Sequence, residues 1–123
     1  MSSLAQLGVS VVIPTLNAAE TLPATLAALG AAEVVVADGG SSDATVELAG
    51  AAAASVVRSP TGRGPQLAAG AEAANGQWLL FLHADTVPTG DWLAQVTAFV
   101  TDPANGERAA AFRFAIDMPG AGA

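Results

Sequence analysis

The sequence predicts an α/β fold, a mostly parallel sheet with helices on both faces. Three observations carry that expectation. Short apolar, β-branched runs alternate with segments of helical periodicity. The first runs are apolar on both sides, as strands buried between two helical layers are. The chain of 123 residues, 52% apolar and only 12% charged, suits one domain with a substantial core.

Val9 to Ile13 is the first strand, and Pro14 is expected to stop it. Leu22, Leu26 and Leu29 then mark one helix face, with Thr21 as the preferred cap over Asn17 and Gly30 as the stop. Pro23 suits only the first turn of that helix. Val34 to Ala37 is a second buried strand, and DGGSSD follows as a turn. Ser42 or Asp43 caps a helix through about Ala52, and Ser55 to Val57 is a short third strand. The polar loop RSPTGRGP leads into a small-residue helix from Pro65 to Ala74. Trp78 to Leu82 is the fourth strand, and Leu93, Val96 and Val100 share a helix face after Asp91. Ala109 to Ile116 is expected to be a fifth strand. With no helix after it, one sheet face is left uncovered, so residues 1–123 are expected to be a single but incomplete domain, cut short or completed by a partner. Homo-oligomerisation through an uncovered edge stays open.

Composition narrows the chemistry. The formal net charge is −7, the four basic residues are all arginine, and there is no cysteine. Disulfide scaffolds and cysteine-ligated zinc are excluded, and nucleic acid is not an expected partner. An anionic ligand would have to be held by backbone amides, an arginine or a bridging metal. No run is long and apolar enough to span a bilayer, and the first residues lack the pattern of a signal peptide. A cytoplasmic protein is expected, with work at a membrane face left open. Neither G-x-x-x-x-G-K-[ST] nor G-x-G-x-x-G follows a strand, which disfavours P-loop and dinucleotide sites.

Ligands of open α/β sheets collect beyond the carboxyl ends of the strands. Pro14, Thr15 and Asn17 follow the first strand, Asp38 the second, Arg58 the third, and His83 with Asp85 the fourth. Asp85 either offers a carboxylate to a divalent cation or caps the next helix. Asp38 either accepts from a ribose or base, or bonds the amides of its own glycine turn. Asp43 reads as a helix cap. His83 is an orienting group or a second metal ligand. Arg63, just before a helix start, either meets an anion or stays solvated. Trp78 and Trp92 read as core or rim residues, with Trp92 a candidate to line a pocket.

Three stretches carry a resemblance. VSVVIPTLNAAETLPATLAAL, EVVVADGGSSDAT and SPTGRGPQLAAGAEAANGQWLLFLHADTVP, in that order, resemble the N-terminal half of family 2 glycosyltransferases. The likeness spans residues 9 to 116, and the GRGPQ and HADT variants are similar to one bacterial subgroup. It implies a Rossmann-like GT-A fold and inverting transfer of a sugar from a nucleotide-sugar donor to an acceptor hydroxyl, with Mg²⁺ or Mn²⁺. It also implies that Pro14, Thr15 and Asn17 border the nucleotide, that Asp38 contacts the nucleoside, and that Arg63 and Gln66 approach the donor. Asp85 then matches the last acid of the metal-binding DxD motif, with His83 in place of the first acid and beside the substrate. Gly39 stands where many members have an acid, as in VDDGS, and Ala68 where many have asparagine. The resemblance puts the general base after the fifth strand, outside this chain. The acceptor is not implied, and whether it is lipid-linked stays open. A nucleotide-sugar-binding module without turnover and a GT-A-like nucleotidyltransferase are the alternatives.

Overall fold

A computed structural model describes residues 2–106. Four parallel strands form one sheet in the order β3-β2-β1-β4. In chain order these are β1 (Val9–Thr15), β2 (Glu33–Asp38), β3 (Ser55–Arg58) and β4 (Trp78–Phe81). The helices are α1 (Leu22–Ala27), α2 (Thr45–Ala51), α3 (Arg63–Ala73) and α4 (Trp92–Thr101), with a 3₁₀ turn at Pro103–Asn105. The expected fifth strand, Ala109 to Ile116, lies outside the described residues. Among the described residues, no helix is long and apolar enough to cross a membrane.

Alternation along β1 divides the core. Val9, Val11 and Ile13 join Val36, Leu22, Leu29, Ala49 and Val96 in one buried cluster, onto which Leu26, Leu80, Trp92 and Leu93 pack. That face is covered by α1, α2 and α4. Trp92, partly buried, thus packs against the core, and Trp78 meets Phe99 edge-on with centroids 5.7 Å apart. The opposite face carries Val12 and Ala37 under α3. On that side of β4, Leu79 and Phe81 remain exposed.

The helix α3 approaches the sheet closely because Gly70 has no side chain. A Cβ there would stand 2.3 Å from Val12 Cγ1, and 3.5 Å from Ala37 Cβ. The amino end of β4 is held by hydrogen bonds. Glu33 accepts from Ser10 Oγ at 2.5 Å, from the Asn75 amide at 2.7 Å and from Asn75 Nδ2 at 2.6 Å. The Asn75 amide, followed by the Ser10 hydroxyl and the Asn75 side chain, holds the Glu33 carboxyl below the ordinary carboxylate range.

Element boundaries depart from expectation where local signals compete. Pro14 does not stop β1, which continues through it to Thr15. The reason is directional. In a parallel ladder the N–H and C=O of one residue face the same neighbour, and successive residues alternate. Thr15 C=O accepts from Gly39 on the β2 side, and Val12 C=O accepts from Leu82 on the β4 side. The missing N–H of Pro14 therefore faces β4, whose pairing has already ended at Val12 and Phe81. The helix predicted to begin at Pro65 starts two residues earlier, at Arg63, and α1 ends at Ala27, short of Gly30. Thr21 is the N-cap residue of α1, but its side chain makes no cap bond. Helix α2 begins at Thr45 with Ala44, and neither Ser42 nor Asp43, at its N-cap; Asp43 instead bonds the first helical residue, its Oδ1 accepting from the Thr45 amide at 3.0 Å.

Gly70→Ala should lower stability by about 1–3 kcal/mol through overpacking against Val12, although alanine is the better helix former. Urea unfolding of the variant checks this. Gly50→Ala, in a helix position with open space around it, is the matched control and should not be destabilised.

Candidate functional site

Successive strands are added on one side of β1 as far as β3, and then β4 is added on the other. The direction of strand addition thus reverses between β1 and β4, and ligands of open α/β sheets collect at the carboxyl ends of such a pair. Thr15, Asp38 and Arg58 stand side by side in register across β1, β2 and β3 at that same rim. A cleft of about 340 Å³ lies between the two diverging strands, lined by Pro14, Leu16, Asn17, Ala18 and Thr21 on one side and His83, Ala84 and Asp85 on the other. A smaller groove beside it is lined by Pro14, Arg63, Leu67, Phe81, Leu82 and His83. Pro14, Asn17, Arg63, His83 and Asp85 are thus brought together at one crevice. Arg58 lines neither groove.

The carboxylate of Asp38 is completely buried. Its Oδ1 accepts from Thr15 Oγ1 at 2.8 Å and Ser41 Oγ at 2.6 Å, and its Oδ2 from the amides of Gly40 at 3.1 Å and Ser41 at 2.8 Å. That is the glycine-turn reading of this residue, and a nucleoside contact would require one of these bonds to be released. Burial pushes the carboxyl up, but the Ser41 hydroxyl and amide, Thr15 and Gly40 outweigh it, and the group titrates below its ordinary range. Thr15 is consumed in the same network, 2% exposed.

The turn after β1 is tied to this one. Asn17 adopts φ +53°, a left-handed conformation that asparagine tolerates. Its Oδ1 accepts from the amides of Ser42 at 2.8 Å and Asp43 at 3.4 Å, while its own amide donates to Ser41 Oγ at 2.8 Å. Ala18 and Ala19 donate to Thr45 Oγ1 and Asp43 Oδ2. Asp43 thus braces a loop as well as a helix start. The Thr45 hydroxyl, opposed by burial and aided by the amides of Thr45, Ala19 and Asp43 itself, holds its carboxyl below the usual range.

Gln66 is 6% exposed, and its carboxamide bonds only backbone groups: Thr15 C=O, Ala37 C=O and the Gly62 N–H. Asp85, in contrast, is exposed, and among the described residues it meets only Thr86 Oγ1 at 3.5 Å. It does not cap the next helix: Asp91 is the N-cap of α4. Two residues that the sequence reading passed over also shape the site. Thr25 Oγ1 donates to Ala84 C=O at 2.8 Å, which pins the His83–Asp85 turn to α1, and Thr45 receives the β1 loop. Their signal was a polar residue in a buried helical stripe.

Among the described residues, no three His, Cys, Asp or Glu side chains cluster as a metal cage. An unspent carboxylate with an imidazole in the same cleft fits a cation that takes its remaining ligands from phosphate oxygens and water, as Mg²⁺ and Mn²⁺ do. The imidazole is the less suited donor for so hard an ion.

The glycosyl transferase family 2 model matches residues 10–115. The chain belongs to that family. PGL/p-HBAD biosynthesis glycosyltransferases of Mycobacterium bovis and Mycobacterium tuberculosis are 38% identical to it over 104 residues, covering 74% of this chain and 41% of theirs. The chain therefore spans less than half the length of these curated relatives. Glucosyl-3-phosphoglycerate synthase from Mycobacterium tuberculosis, in complex with Mn²⁺, UDP and glucosyl-3-phosphoglycerate, has a TM-score of 0.68 at 22% identity, over 82% of this chain and 44% of that one. Staphylococcus aureus TarS 1-349, in complex with UDP, gives a TM-score of 0.63 at 25% identity, over 75% of this chain and 31% of that one. The family's GT-A fold is thus the fold of this chain.

Because the Asp38 carboxyl is depressed in the folded state, it stabilises above the ordinary carboxylate pKa of about 4, and that stabilisation is lost as pH falls through the depressed value. Asp38→Asn, which puts an NH₂ among donors, should cost about 1.5–3 kcal/mol at pH 7. The difference from wild type should shrink below about pH 4. Urea midpoints of both proteins from pH 7 to pH 3 check it.

Proposed function

We propose that this chain is the donor-binding part of a glycosyltransferase that moves a sugar from a nucleotide-sugar, most directly a UDP-sugar, to an acceptor hydroxyl with inversion at the anomeric carbon. The observation that carries the reading is the crevice between β1 and β4, with a carboxylate left unspent at Asp85. Two proteins of like fold were captured with UDP, one of them with Mn²⁺ as well, which supports the choice of nucleotide and ion.

In this reading the residues divide by task. The bracing networks around Thr15, Asp38 and Gln66 hold the loops in place before the donor arrives, so that little ordering is needed on binding. Pro14 and Asn17 border the nucleotide on the β1 side. Arg63, at the start of α3, faces the diphosphate together with the helix amides. Asp85 holds the divalent cation, and His83 orients beside it. A cation bound there supplies positive charge to the diphosphate as it leaves. In a chain with net charge −7 and no lysine, Arg63 is, among the described residues, the arginine that lines the crevice to share this task with the cation. The base that removes the acceptor proton is assigned to sequence outside residues 2–106, as is the acceptor site.

Thermal unfolding with UDP and MnCl₂, singly and together, tests the reading. At a hundred times the dissociation constant, binding should add about 2.7 kcal/mol, and the largest shift should need both ligands. Asp85→Ala should abolish the part that depends on Mn²⁺ while melting at the wild-type temperature without ligand, since its side chain is exposed. A melt unmoved by UDP with Mn²⁺ would overturn the proposal.

A further inference from the structure

Gln66 is a buried polar side chain at the rim whose carboxamide reaches three separate segments. Its Nε2 donates to Thr15 C=O at 2.8 Å and to Ala37 C=O at 3.0 Å, and its Oε1 accepts from the Gly62 amide at 3.0 Å. One carboxamide therefore ties the end of β1, the end of β2 and the residue that precedes α3. It lies where a side chain at position 39 would go. A Cβ on Gly39 would stand 2.9 Å from Gln66 Cδ and 3.0 Å from both Nε2 and Oε1. Gly39 is not among the glycines with positive φ, so the constraint on it is space and not backbone conformation. Around the same point, Ser59 donates to Asp38 C=O at 3.0 Å, and Thr61 Oγ1 donates to Gly39 C=O. Arg63 comes directly after Gly62 and lines the groove with Pro14 and His83.

We propose that Gln66 is a positioning residue: seated in the space that Gly39 leaves open, its carboxamide fixes the Gly62–Arg63 turn and so sets Arg63 against the diphosphate of the donor. The clamp stands on the geometry alone, and its effect on the donor rests on the function proposed above. A corollary concerns position 39. An acid there, as in the VDDGS pattern, would displace Gln66 from this pose.

The test uses the whole 123-residue chain. In urea unfolding, Gly39→Ala should lower the midpoint in the wild-type background but not in Gln66→Ala, where the space is vacant. Equal losses in both backgrounds would overturn the shared-space argument, and Gln66→Ser serves the same cycle if Gln66→Ala does not unfold cooperatively. In Gln66→Met, which keeps volume but neither donates nor accepts, the Gly62 amide should exchange about tenfold faster with solvent. The Gly76 amide, bound to Ser10 Oγ at the opposite end of the sheet, should not change. Unchanged exchange at Gly62 would overturn the clamp.

The donor arm is a calorimetric titration with UDP and Mn²⁺. Gln66→Met should weaken binding about tenfold, the size of one lost hydrogen bond, with little further loss in an Arg63→Ala background. A merely structural role predicts losses that multiply, and that result would overturn positioning through Arg63. If the wild-type chain does not bind UDP, the proposed function falls, while the unfolding cycle and the Gly62 exchange still decide the clamp.

Discussion

The site depends on one constraint, the pairing of β1. It is one of the two interior strands of this sheet, paired with β2 from Ser10 to Thr15 and with β4 only as far as Val12. Beyond Val12 the β4 side has no ladder to satisfy. Proline fits there without loss, and the chain diverges on either side. The crevice is thus a product of sheet topology before any functional side chain is considered. Parallel strands need crossovers, crossovers take a fixed hand, and a change in the direction of strand addition leaves a gap at the carboxyl ends.

What lines that gap is held mostly by polar contacts among loops. Three polar hubs, the buried Asp38 and Gln66 and the exposed Asn17, between them engage the turns after β1, β2 and β3. Among the described residues, no buried side-chain nitrogen or oxygen lacks a hydrogen-bond partner. Satisfied networks of this sort rigidify a rim that apolar packing does not reach. They also explain a contrast among the acids: Asp38 and Asp43 are spent on structure, whereas Asp85 bonds, among the described residues, only Thr86.

The strands and their parallel order were legible in the sequence, because apolar β-branched runs bounded by Pro, Gly and polar turns admit few other arrangements. The crevice could be placed for the same reason. Legibility failed where a residue answers to a distant partner. Pro14 reads locally as a stop, and only the register with β4 shows why it is tolerated. The resemblance makes Gln66 a neighbour of the donor, but nothing in GRGPQ shows that its carboxamide reaches two strands whose ends lie 51 and 29 residues back along the chain. For Asp38 and Asp85, two roles each were compatible with local sequence. Hydrogen bonds decide for the turn in the first case, and the position of the α4 cap decides against capping in the second.

The absent side chain at Gly70 bears on more than core density. It lies seven residues from Arg63 on one helix, roughly 10 Å along the axis. The point where α3 rests on Val12 is a fulcrum, and the mouth of the groove is at the far end of the lever. A shim of one methyl group at the fulcrum tilts the arm, and the arm carries Arg63. The tolerance to which the sheet and helix are fitted is therefore also the tolerance on the width of the groove, set by two residues that never meet a ligand.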